Sequence, residues 1–208
     1  MNKPQFYDEA PNLNGDYVVL PVGGHICEIK KAVNEKSQAG NDMLVLLLDV
    51  AVGEYKDYYK NRFDKDNRQD KKWGCVLRIV IDDPSKTNDM RTKIAGRLKG
   101  AITSIEASND GFKFDWNPES LKGKLVGVEF SLREYTANDG SVKTIIEPRR
   151  LRSKEVIESG KAQILPVKLL DNSYMEYDDY MEKLAEAKYE NQTADFEKVD
   201  VDKDDLPF

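Results

Sequence analysis

Histidine and cysteine are scarce in this chain, and that scarcity removes most catalytic chemistry before any motif is sought. Of 208 residues, one is histidine and two are cysteine. The lone ring, His25, cannot form a His–His metal pair, and Ser–His or Cys–His catalysis would have to run through that one imidazole. Cys27 and Cys75 are too few for a disulfide framework. Both sit in apolar runs and read as free, buried thiols in a reducing compartment. No Gly-x-x-x-x-Gly-Lys-Ser/Thr occurs, so a P-loop is absent. The longest apolar stretch, Met43 to Val52, is broken by Asp49 and falls well short of the roughly 20 residues of a membrane span. The opening Met-Asn-Lys-Pro-Gln-Phe-Tyr carries no apolar signal region, which predicts a cytoplasmic protein with no membrane partner.

What is abundant is charge, at 34% of residues, and its distribution is uneven. The formal net charge is −6, but Asp171 to Phe208 holds 13 acidic residues against four lysines, a net of −9, which leaves the first 170 residues at +3. A mildly basic body is followed by an acidic tail.

Periodicity divides the body. Residues 1–20 are polar and Pro/Asn-rich and read as an arm. Val22 to Val33 reads as a strand with Gly23-Gly24 as a bend or bulge at its start, and Met43 to Val52 as a central strand buried on both faces. After a charged, aromatic stretch, Val76 to Ile81 gives a third strand. Met90, Ile94, Leu98, Ala101, Ile102 and Ile105 then fall on one helical stripe, capped by Thr87, Asn88 or Asp89 and ended by Asn109-Asp110-Gly111. Val126, Val128, Phe130 and Leu132 alternate with polar residues. Asn138-Asp139-Gly140 turns the chain into a return strand from Val142 to Arg152, with Pro148 marking an edge or bulge. Three strands, a helix and a closing hairpin predict a mainly β chain with helices (α+β), arranged as a five-stranded OB-fold barrel over residues 21–170 with its helix between strands 3 and 4. Ser153 begins a short helix. Ser173 to Glu176 has the form of a capping box opening a C-terminal helix over 171–190, with a Tyr177, Met181, Leu184, Ala187 stripe. Residues 191–208 lose periodicity and read as a disordered acidic tail.

Two kinds of chemistry compete for this pattern. The pairs Asp82-Asp83, Asp178-Asp179 and Asp204-Asp205 raise a metal-dependent nuclease, but adjacent carboxylates at turns and caps point apart, and the expectation is a binding protein without catalysis, cofactor or metal. Single-strand binding asks for cations that follow phosphates and aromatics on which bases stack. Between Tyr55 and Trp73, the aromatics Tyr55, Tyr58, Tyr59, Phe63 and Trp73 interleave with Lys60, Arg62, Lys71 and Lys72, in the connection between strands 2 and 3. Arg78, Arg133, Lys143, Arg149, Arg150 and Arg152 add cations on strands. Core packing competes for Tyr59, Phe63 and Trp73, and Phe112 and Trp116 read as core or loop anchors.

The last residues are more specific. Asp204, Asp205, Leu206, Pro207 and Phe208 resemble the tip that ends bacterial and phage single-stranded DNA-binding proteins, with Leu in place of the commoner Ile and Lys203 interrupting the acidic run. Ser104 to Asn109, Phe114 to Asn117, Leu121 to Leu125, Glu134 to Gly140 and Leu151 to Ser153 are similar to an early-gene family of phages of Gram-positive bacteria thought to bind single-stranded DNA. The resemblance implies sequence-independent protection of single strands in phage DNA replication and recombination, within the bacterial host cytoplasm. It also implies a tip that recruits replication or recombination proteins, and it leaves room for a homo-oligomer. The alternative is a recombination mediator or strand-annealing protein.

Overall fold

Strand-forming runs and one long amphipathic helix assemble into a mixed α/β fold, with a seven-stranded sheet and four α-helices among the described residues. The computed structural model describes residues 19–196, with side chains as far as 187. β1 (Gly23–Lys36), β2 (Asp42–Val50) and β3 (Val76–Val80) form an antiparallel meander. α1 (Tyr58–Lys65) lies between β2 and β3, and α2 (Asn88–Ala107) between β3 and β4 (Leu125–Thr136). β5 (Val142–Arg152) completes a hairpin with β4, and α3 (Lys154–Glu158), β6 (Val167–Lys168), β7 (Tyr174–Met175) and α4 (Tyr177–Phe196) follow.

Central β2 is as apolar as its sequence predicts. Leu44, Leu46, Leu48 and Val50 enter the core against Cys27, Ile29, Val126, Val128 and Phe130, and Leu98, Ala101 and Ile105 of α2 close over them. The Thr87 hydroxyl accepts from Met90 N at the start of α2. At its end Asn109 donates to the carbonyls of Ile105 and Leu125, both at 2.7 Å, and so ties the helix to the first residue of β4. The β4–β5 loop turns on a single left-handed residue, Gly140, at φ 80°.

The five-stranded barrel is corrected in two respects. β1 pairs β2 and β4, and β4 pairs β5, but β3 and β5 are not joined in the sheet order, so the sheet is open. It also gains β6 and β7: Lys168 pairs Arg133 of β4 in parallel, and Tyr174 pairs Lys168. β1 leaves the edge of β4 at Gly23↔Phe130, and β6 takes up the vacated edge beyond it. The outer surface of β1 and β4 is covered by α3 and the segment after it. That approach requires glycine at two positions, because a Cβ on Gly127 or Gly24 would collide with Ile157, and one on Gly24 also with Ala162.

The ends of the chain depart from expectation as well. Leu20, assigned to the arm, is buried in the core. Ser173–Glu176 does not open a helix, since Tyr174 and Met175 are drawn into pairing with β6; α4 starts at Tyr177 and continues past 190 to Phe196. Its docking residue is Tyr180, fully covered, whereas Met181 of the expected stripe is exposed. Residues 1–18 and 197–208, and with them most of the arm and the tip Asp204 to Phe208, lie outside the described residues. Among the described residues no helix is long and apolar enough to cross a membrane.

Candidate nucleic-acid interface

The aromatic stretch between β2 and β3 is mostly spent on the core. Asp49, outward on β2 yet fully buried, accepts from Tyr59 N at 2.9 Å and Lys60 N at 3.1 Å, so a strand carboxylate caps the first turn of α1. Burial raises the Asp49 pKa, and its three backbone donors, on Tyr59, Lys60 and Val50, hold it down. This cap pins α1 against the end of the sheet. Tyr59, 3% exposed, stacks on Phe130 with centroids 6.3 Å apart, and Tyr58 is buried beside it. Trp73 Nε1 donates to the Leu48 carbonyl at 2.8 Å, and its ring meets Phe63 at 5.6 Å. Tyr58 and Tyr59 are therefore corrected from base-stacking residues to core. Tyr55, Phe63 and Trp73, half-buried, pack on one another or on the core. Of the cations around them, Lys60 pairs with Asp64, Lys72 is exposed, and half-buried Lys71 lies 4.4 Å from the Phe63 centroid and donates to the Phe63 carbonyl at 3.1 Å.

Arg150 and Arg152 meet a buried carboxylate. Glu129 is fully buried on the outer side of β4, where it accepts from Arg150 Nε at 2.6 Å and Gln163 N at 2.9 Å, with Arg152 Nε at 3.7 Å. These arginines neutralise the buried carboxylate. The cause is a β-bulge. Phe130 pairs Pro148 but Glu129 pairs Arg150, so Arg149 is the extra residue, and the two consecutive arginines are directed to different partners.

Arg149 joins a different group. Across four strands, Ile145 pairs Arg133, Arg133 pairs Lys168 and Lys168 pairs Tyr174, which places all four side chains in one lateral row. Arg149 lies 5.1 Å from the Tyr174 ring centroid, and the tyrosine remains 56% exposed. Arg133 Nε and Arg149 Nη1 share the carboxylate of Glu147 at 2.7 and 3.1 Å. Lys143 sits near the hairpin tip, paired with Asp139 at 3.0 Å. Arg78 is exposed on β3, outside this group. Of the cations expected on strands, the structure gathers Arg133 and Arg149 into one cluster and adds Lys168 and Tyr174. Neither of those two residues can be picked out from sequence, because strands two residues long carry no alternation.

The acidic pair Asp82-Asp83 serves the turn after β3, as expected. Asp82 accepts from Arg91 at 2.6 and 2.9 Å, and Asp83 accepts from the Ser85 hydroxyl at 2.6 Å. Phe112 is half-buried against the core, with Lys124 at 4.5 Å from its ring centroid. Trp116 is not an anchor. It is 72% exposed at φ 66°, and the loop is held instead by Asp115, which accepts from Asn117 N and the Ser120 hydroxyl.

No protein-family model and no curated protein matches this chain.

Proposed function

We propose that this chain binds single-stranded DNA without sequence preference, and that the outer face of β5, β4, β6 and β7 is where the strand lies. The observation that carries the proposal is the row Ile145–Arg133–Lys168–Tyr174 with Arg149 over the tyrosine ring, an exposed aromatic amid three cations. Stacking is tolerant of base identity because every base has a π-face, and cations alongside follow the phosphates. The strand order supports the same reading. β3-β2-β1-β4 with β5 on β4 is the order of an OB barrel opened between β3 and β5, and the β4–β5 hairpin is one of that fold's usual ligand-binding edges. In this proposal the body, at +3, holds the DNA, and the tip Asp204 to Phe208 recruits replication or recombination proteins in the host cytoplasm.

The test is anisotropy of a labelled oligo-dT titrated with protein over a range of salt. Binding that weakens with salt, with a slope of about −0.7 per phosphate contacted, is expected. Absence of a salt-sensitive rise at low ionic strength refutes the proposal. Acceleration of complementary-strand annealing would move it toward an annealing protein.

A further inference from the structure

We infer that Glu147 stands in for a phosphate on this face, and that a single strand binds by displacing its carboxylate from Arg133 and Arg149. The inference rests on the single-strand reading above and names the subsite where one phosphate enters.

The same pair of strands carries two arginine–glutamate groupings of opposite character. Glu129 is fully buried, and it holds Gln163 N as well as Arg150, so leaving its arginine would strand a charge away from water. Glu147 keeps a quarter of its side chain in solvent, and among the described residues its partners are the two guanidiniums, Arg133 Nε on Oε2 and Arg149 Nη1 on Oε1. It can therefore turn to water without being stranded. One carboxylate facing two guanidiniums leaves a positive charge over, with Lys168 next in the row. A guanidinium fork receives carboxylate and phosphate oxygens in the same geometry, so a phosphate can take the place Glu147 leaves. Tyr174, beneath Arg149, then lies beside that phosphate as a surface for a neighbouring base.

The chain's own carboxylate thus holds the two arginines in position and competes with the strand for them. Glu147→Gln keeps the size and removes the charge. It is expected to tighten oligo-dT binding about threefold to tenfold and to steepen the salt slope by about 0.7, one further phosphate. Glu147→Ala is expected to move both readouts in the same direction, and adding Arg133→Ala to Glu147→Gln is expected to cancel the gain. Unchanged or weaker binding by Glu147→Gln, with an unchanged slope and a wild-type chain that binds, overturns the inference and leaves the single-strand reading standing. A wild-type chain that shows no salt-sensitive binding overturns both.

Discussion

The guanidinium of Arg150 lies 2.6 Å from the carboxylate of Glu129, and of the two only Arg150 reaches solvent. This asymmetry predicts unequal costs. Arg150→Ala strands a buried charge and is expected to lower stability by about 3 kcal/mol, whereas Glu129→Gln leaves an arginine that can turn outward and is expected to lower it by about half that. Urea unfolding of the two variants measures the difference. Equal losses would mean that Gln163 and Arg152 suffice for Glu129. If Arg150→Ala weakened DNA binding but not stability, Arg150 would belong to the proposed interface.

Two tyrosines separate core from interface. Tyr59→Ala removes a ring packed on Phe130 and is expected to cost about 3–5 kcal/mol of stability. Tyr174→Ala, at an exposed ring, is expected to leave the urea midpoint unchanged and to weaken oligo-dT binding by about 1–3 kcal/mol, the value of one stacked base. Parallel unfolding and anisotropy titrations distinguish the two. A Tyr174→Ala chain with wild-type affinity would remove the strand from this face.

Asp49 caps α1 from a neighbouring strand. Asp49→Ala leaves the backbone N–H groups of Val50, Tyr59 and Lys60 without their acceptor, and an expected loss of about 2–4 kcal/mol follows. Asp49→Asn retains one acceptor oxygen and is expected to lose less. Thermal unfolding orders the two variants, and equal losses would mean that the charge, not the acceptor, is what α1 requires.

Alkaline pH is expected to release α4. Tyr180 donates from its hydroxyl to Glu134 at 3.1 Å, and burial, then the Glu134 carboxylate, pushes its pKa from 10.0 up to about 12. The neutral phenol is the form the fold favours. Its contribution is therefore complete below the ordinary tyrosine value and is lost as pH rises through about 12. Urea midpoints measured across that range should fall in the wild type, and fall less in Tyr180→Phe, which has no proton to lose. Identical falls would place the alkaline step elsewhere.

How legible the chain was follows from the range over which each feature is encoded. α2 and its Thr87 cap, buried β2, and the β4–β5 hairpin with its bulge near Pro148 all follow from residues within a few positions of one another. So does the charge split at residue 171, a matter of composition alone. The aromatic stretch from Tyr55 to Trp73 was visible as well, but a Tyr that stacks on a base and one that fills a core have the same sequence. Only the distant Asp49 cap, by seating α1 on the sheet, directs Tyr58 and Tyr59 inward. The open sheet, and the row that joins Arg133 to Lys168 and Tyr174, depend on pairing between distant segments: β6 reaches β4 from more than thirty residues away, and β7 then pairs with β6. Residue type alone says which side chains can carry charge or stack. Which arginines remain available was decided by the tertiary structure, because the fold must neutralise buried Glu129 with Arg150 and leaves Arg149, one residue away, beside an exposed tyrosine.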